Sequence, residues 1–261
     1  YKWLKGFGGG PATRLQYPPV PGAPRDAPPR YTSSHTEMHE LLLEAWLPDI
    51  FQRYEHGHPM PDPQECLDAM AGLLHQHPCN LPPLTGDRLW TQARRLGTRS
   101  AGGTDGWRCD EFKALPSRHF HWLALLLSHI EDTGEWPHSS LLAGVSLIPK
   151  GTDGKELPLD QRPITVLALV YRVWSGLRYK DLLEWQESWI WPTLRGGRAH
   201  QSTTDVTYSV ALDVELCRLK SDLLAGASLD YVKFFDRVVR QVLFAFARVQ
   251  GCDAGVIRAC S

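Results

Sequence analysis

The 261-residue chain is 43% hydrophobic and carries a formal charge of −1, which is enough apolar material for one large domain or two small ones. Its longest apolar run, "HFHWLALLLSHI" (119–130), falls short of the roughly 18 residues that a bilayer span requires, so it reads as a buried helix and no membrane association is expected. The six cysteines (Cys66, Cys79, Cys109, Cys217, Cys252 and Cys260) form no close CxxC pair, which excludes a zinc ribbon and a dense disulfide framework and sets the expectation of a reducing, intracellular setting.

The chain begins at Tyr1, not at Met, and no signal peptide is visible, so it reads as a piece of a longer protein. Its charge is unevenly spread. Residues 31–87 hold nine acidic side chains against Arg53 alone, so this segment is a poor nucleic-acid binder, whereas the compensating positive balance elsewhere permits binding.

Residues 1–30, with seven prolines and "GFGGG", read as a disordered linker. Residues 36–54 show helical spacing at Leu42, Leu43, Trp46 and Leu47, broken at Pro48. Residues 62–75 predict a second helix, with Asp62 as N-cap and Pro63 in the first helical position. A helix over 85–96 ends at Gly97, and "SAGGTDG" is a glycine-rich turn. Helices follow over 107–116 and 117–132, closed by "DTGEWP". "AGVSLIPK" (143–150) and "RPITVLAL" (162–169) predict a hairpin-like strand pair with Lys150 and Arg162 near its loop. From Leu169 the spacing turns helical to about Trp189. Ser202 and Asp205 form a capping-box variant opening a helix over 203–222, then come a strand at 226–232 and a last helix.

Chemistry can be sought at few of these places. Arg162 offers a planar fork for phosphate oxygens and Lys150 a mobile point charge, so the two could clamp a triphosphate; singly they read as exposed cations on a turn. Asp230, at the end of the expected 226–232 strand, is a candidate Mg²⁺ ligand, because Mg²⁺ takes hard oxygen donors and needs one or two carboxylates when substrate phosphates supply the rest. Alone it reads as a strand-end carboxylate. Phe235 is either a wall against a sugar or a core aromatic, and Asp236 reads as the N-cap of the last helix. His56, His58, His75 and His77, with Cys66 and Cys79, show no familiar zinc spacing. "SAGGTDG" lacks the Lys-Ser/Thr ending of a P-loop.

The order of the segments is more specific than any one of them. "SAGGTDGW", "GEWP", "SLIPK", "QRPITVLALVYRVW", "LRGGRAHQSTTD" and "SLDYVKFFDRV" together resemble the reverse transcriptase of non-LTR (LINE-like) retrotransposons and, more distantly, group II intron reverse transcriptases, over about 97–240. The chain departs from that family's usual pattern at Gly102 and Thr104, at Gln161 before Arg162, and at Val232 and Phe234.

The resemblance implies an α+β fold: a right-hand polymerase's mostly helical fingers with a hairpin, followed by only the start of the palm. Its regions would be a linker at 1–30, an acidic helical segment at 31–83, a fingers-like region at 84–222 and the palm start at 223–261. It implies that Asp230 is catalytic and binds Mg²⁺, that Lys150 and Arg162 hold the incoming dNTP, and that Phe235 excludes ribonucleotides, with an RNA template and a DNA primer as partners. In that family a later pair of adjacent aspartates completes the metal site. This sequence contains no such pair, so the chain alone is expected not to polymerise. The rival expectations are a catalytically dead fragment that binds RNA and a protein-interaction fragment led by the acidic segment.

Overall fold

In the computed structural model, residues 14–19, 21–22, 24, 27–98, 100–149 and 156–261 are described. Among them the architecture is α+β, with helices carrying most of the structure and two small two-stranded antiparallel sheets. β1 (Leu15–Gln16), within the stretch expected to be a linker, pairs with β2 (Tyr31–Thr32), just beyond it. α1 (His35–Trp46) follows, and its buried Met38 and Leu41 pack on Leu15 to form a small core. Pro48 cannot supply the amide that a continuing α-helix needs, and the chain widens into a π turn, Leu47–Phe51.

α2 (Pro63–Ala69) is capped as expected, the Asp62 side chain accepting from the Gln64 amide at 2.8 Å, although it ends earlier than the apolar spacing suggests. α3 (Gly86–Arg94) is capped by Thr85. α4 (Cys109–Ala114) and α5 (Ser117–Thr133) lie where expected, and α5 ends at Gly134 with a φ of 80°, a left-handed cap that glycine adopts without a Cβ penalty. α5 buries one face, through Phe120, Ala124, Leu127 and Ile130. Its opposite face exposes Trp122 and Leu125, so this apolar run is only half buried. α6 (His138–Leu141) leads into the hairpin, and α7 (Leu169–Glu187) leaves it.

The main core joins α3, α4, α5 and α7, with Ala259 of α10 (Ala254–Cys260) closing one end. Leu89, Phe120, Leu127, Val173 and Trp174 lie at its centre. α8 (Thr203–Lys220) opens with the expected reciprocal box: the Ser202 amide donates to Asp205 at 2.7 Å while the Ser202 hydroxyl accepts from the Asp205 amide. It buries no residue. α9 (Arg240–Val249) packs against α2.

One charged cluster crosses this core. Arg178 on α7 donates from Nε and Nη2 to the two oxygens of Glu131 on α5, each at 2.6 Å, and from Nη1 to Asp181 at 3.1 Å and to the Pro82 carbonyl at 2.7 Å. Trp174 donates its indole N–H to the same Glu131 at 2.7 Å, and Arg88 on α3 pairs with Asp181. The Arg178 and Glu131 side chains are only 6% and 11% exposed. Burial works against the Arg178 charge, but the hydrogen bonds and charge of Glu131, with those of Asp181, outweigh it and hold the guanidinium above its ordinary value.

All six cysteines are free. The segments bearing Cys79 and Cys252 lie side by side, the His77 amide donating to the Gln250 carbonyl at 2.9 Å. Burial, with neighbouring Cys79, pushes the Cys252 thiol from 9.0 up to about 11.

Two outcomes follow from this packing. Glu131→Gln leaves the Arg178 charge buried and half-paired, so urea unfolding should show a loss of roughly 3–5 kcal/mol. Cys252 is neutral in both folded and unfolded chains below pH 9.0, whereas between 9.0 and about 11 only the unfolded thiol ionises. Its contribution to stability is therefore lost as pH rises through that window. Subtracting the pH profile of Cys252→Ala from that of the parent should isolate the decline.

Candidate functional site

The hairpin forms as the sequence predicts. β3 (Gly144–Pro149) pairs antiparallel with β4 (Gln161–Val166), from Gly144↔Val166 at its base to Pro149↔Gln161 at the loop end. Arg162 lies opposite Ile148, one pair from that end, and its side chain is exposed. Lys150 lies outside the described residues. Gln161, one of the departures noted above, is fully buried and donates its side-chain amide to the Leu157 carbonyl at 3.3 Å.

The glycine-rich turn sets where the hairpin sits. The Asp105 carboxylate accepts from the Leu169 amide at 2.7 Å, satisfying one open donor at the N-terminus of α7, where the helix dipole also favours negative charge. Thr104 donates to the Leu142 carbonyl at 2.6 Å, just before β3, and Arg172 reaches back to the Ala101 carbonyl at 2.7 Å. A Cβ on Gly103 would lie 2.5 Å from the Leu167 oxygen and 2.7 Å from the Ala168 Cα, so only glycine allows this approach. "SAGGTDG" is thus a bracket at the base of the hairpin, fastened to the chain where it enters β3 and where it leaves β4.

The segment bearing Asp230 differs from expectation. No strand forms at 226–232; residues 222–231 are neither helix nor strand, and Asp230 is exposed. A strand needs an edge to pair with, and among the described residues the nearest sheet has only β3 and β4. Phe235 is 88% exposed and opens a short 3₁₀ turn, Phe235–Arg237, beside Phe234 and Tyr231. Asp236 lies inside that turn and is not the N-cap of the last helix: Val238 is extended, and α9 starts only at Arg240, with Val239 at its N-cap.

The structure nonetheless brings the Asp230–Phe235 loop to the hairpin, through a residue that carries no motif signal. Lys233 donates its ammonium to the Gln161 carbonyl at 3.0 Å, at the residue before Arg162. Its Nζ also lies 4.1 Å from the ring centroid of Trp46, at the end of α1. Trp46, 4% exposed, donates its indole N–H to the Pro158 carbonyl at 3.1 Å, in the turn leading into β4. Arg53 donates to the Arg237 carbonyl at 3.0 Å. In the sequence Trp46 is only one apolar position in a helical pattern, and contacts spanning more than a hundred residues leave no local signal.

Among the described residues, no three or more His, Cys, Asp or Glu side chains converge as a metal site. His77 stacks on Trp189 at 5.1 Å, and its carbonyl accepts from Trp185 at 2.9 Å. Among the described residues no helix is long and apolar enough to cross a membrane.

No family model matches the sequence. Over 179 residues, 67% of the chain, it is 25% identical to a Drosophila melanogaster protein described as "Probable RNA-directed DNA polymerase from transposon BS". The match spans 19% of that protein's length. The likeness is to a retroelement reverse transcriptase, and it is distant.

The bracket generates a measurable expectation. Asp105→Ala removes a helix-capping acceptor and should lower the unfolding free energy by about 1 kcal/mol. Gly103→Ala should cost more, because its Cβ meets backbone and not a yielding side chain. Urea titrations of both variants check the order.

Proposed function

We propose that the chain is the fingers region and palm start of an RNA-templated DNA polymerase of a retroelement, right-hand in fold. The observation that carries the reading is the Lys233–Gln161 contact, which sets the Asp230–Phe235 loop against the end of the hairpin that bears Arg162. The order of six motifs and the distant likeness to a protein named as an RNA-directed DNA polymerase support it.

In this reading Arg162 and Lys150 hold the triphosphate of a dNTP. Guanidinium pairs two phosphate oxygens at once, and ammonium follows the remaining charge. Phe235 stands beside the sugar. An apolar ring accepts no hydrogen bond from a ribose 2′-OH, and its bulk crowds that hydroxyl, so deoxyribose is preferred. RNA template and DNA primer are gripped through backbone and helix shape, since copying cannot depend on sequence.

Asp230 is a hard oxygen donor of the type that suits Mg²⁺, and its exposed place on the loop leaves it open to a cation that a substrate phosphate would share. It is one ligand, and the sequence holds no adjacent aspartate pair to add others. When bound, Mg²⁺ would stabilise charge on the reacting phosphate oxygens. The chain by itself is therefore proposed to be inactive.

A second reading rests on the unformed strand at 226–232: the chain is a catalytically dead piece that binds RNA or another protein. Salt-dependent RNA binding without nucleotide incorporation by the longest natural protein containing this chain would favour RNA binding. Absence of nucleic-acid affinity at low salt would favour protein interaction.

Primer extension decides between the readings. In that longest natural protein, Asp230→Asn should lower dNTP incorporation roughly a thousandfold, the scale of several kcal/mol of lost transition-state stabilisation. Phe235→Ala should narrow the preference for dNTP over rNTP about tenfold or more, the scale of one lost steric contact. The 261-residue chain alone should incorporate nothing. Incorporation undiminished in Asp230→Asn would overturn the polymerase reading.

A further inference from the structure

We infer that the acidic N-terminal segment is a built-in clamp of the nucleotide site, with Trp46 and Lys233 as its positioning residues. The inference rests on the polymerase reading for what the site binds, while the clamp itself rests on geometry alone. Three contacts converge on the end of α1 and the π turn after it. The Trp46 indole N–H reaches the Pro158 carbonyl, which leads into β4. The Trp46 ring face receives the Lys233 ammonium at 4.1 Å. Arg53, just beyond the π turn, donates to the Arg237 carbonyl on the far side of Phe235. One short stretch, 46–53, thus touches both the hairpin and the loop that carries Asp230 and Phe235.

Lys233 completes the triangle by donating to Gln161, beside Arg162. Its backbone has a φ of 52°, a left-handed conformation that a residue with a long side chain rarely adopts and that persists where surroundings impose it. Here the imposing contacts are visible: an aromatic face on one side and a strand carbonyl on the other. Because Lys233 lies between Asp230 and Phe235 in sequence, its ammonium ties the stretch that carries both to the residue before Arg162. Trp46 is 4% exposed and braced by Phe51 stacked at 5.5 Å, so the platform is rigid. None of these residues would touch the nucleotide; they set the separation between the groups proposed to do so.

The first test is hydrogen exchange on the 261-residue chain, which needs no catalysis. Trp46→Ala and Lys233→Met should each speed exchange in 158–166 and 231–238, and leave α5 and α7 unchanged. Lys233→Arg, which keeps the charge over the ring, should restore protection. If Trp46→Ala fails to fold, Lys233→Met and its Arg rescue carry the test. Unchanged exchange at both segments overturns the clamp.

The second test is steady-state incorporation by the longest natural protein containing the chain. Lys233→Met should raise KM for dNTP about tenfold or more with kcat changed less than about threefold, the signature of weakened binding of the nucleotide by the groups that Lys233 holds in place, expressed equally in ground and transition states. An unchanged KM overturns the clamp's role in the nucleotide site. Asp230→Asn serves as the control: if it leaves incorporation intact, the polymerase reading fails, and the exchange data still decide whether the clamp exists.

Discussion

The bidentate pair between Arg178 and Glu131 is the constraint on which the remaining packing depends. Two charges at this depth are tolerated only if each is paired and its remaining hydrogen-bonding capacity is met. Glu131 meets this by accepting from Trp174 as well, and Arg178 by reaching Asp181 and the Pro82 carbonyl. These partners come from α5, α7 and the segment before α3, so satisfying one buried charge fixes three elements at once. The Glu131 carbonyl extends the same constraint to α10, accepting from Arg258 at 2.9 Å. Hydrophobic contacts alone would tolerate sliding of α7 along α5; a planar fork facing a carboxylate does not.

A fixed α7 in turn places the hairpin. The helix begins only three residues after β4 ends, and Asp105 caps its first turn from a loop that also holds the chain just before β3. The route from buried charge to candidate site therefore runs through few flexible joints: Glu131 to Arg178, along α7 to Leu169, and across the bracket to both strands. Arg162 is carried on a strand whose position is set from the helical core, the fixed placement that the proposed phosphate contact needs.

Features that depend on near neighbours along the chain are legible in the amino-acid sequence itself. Asp62 and the Ser202–Asp205 box mark helix starts because a cap is a contact over two or three residues, and Gly134 marks an end because only its own φ matters. The hairpin is legible from its two apolar runs and the turn-rich stretch between them. The expected strand at 226–232 does not form because pairing is a property of two segments, and apolar composition reports on one alone. Asp236 does not cap the last helix because Val238 turns extended and delays its start. Of the candidate site residues, Arg162 sits on its expected strand, whereas Asp230 and Phe235, expected on a strand and its turn, lie in irregular chain and a 3₁₀ turn. Trp46 and Lys233 carry no local mark of what they do.

Lys233 shows why the site cannot be read from its own stretch. A left-handed backbone at a non-glycine residue costs about 1–2 kcal/mol. A cation over an indole face offsets about 0.5–2 kcal/mol, and a charge-assisted hydrogen bond about 1.5–3 kcal/mol. Trp46 and Gln161 together offset that cost, so the conformation between Asp230 and Phe235 is supported from outside the motif. The exposed Phe235, Tyr231 and Val232 agree with this: they are not packed in a core, and the Lys233 ammonium, between an N-terminal indole and a strand carbonyl, ties the loop to the hairpin. A motif held in this way keeps its conformation together with the segment that braces it.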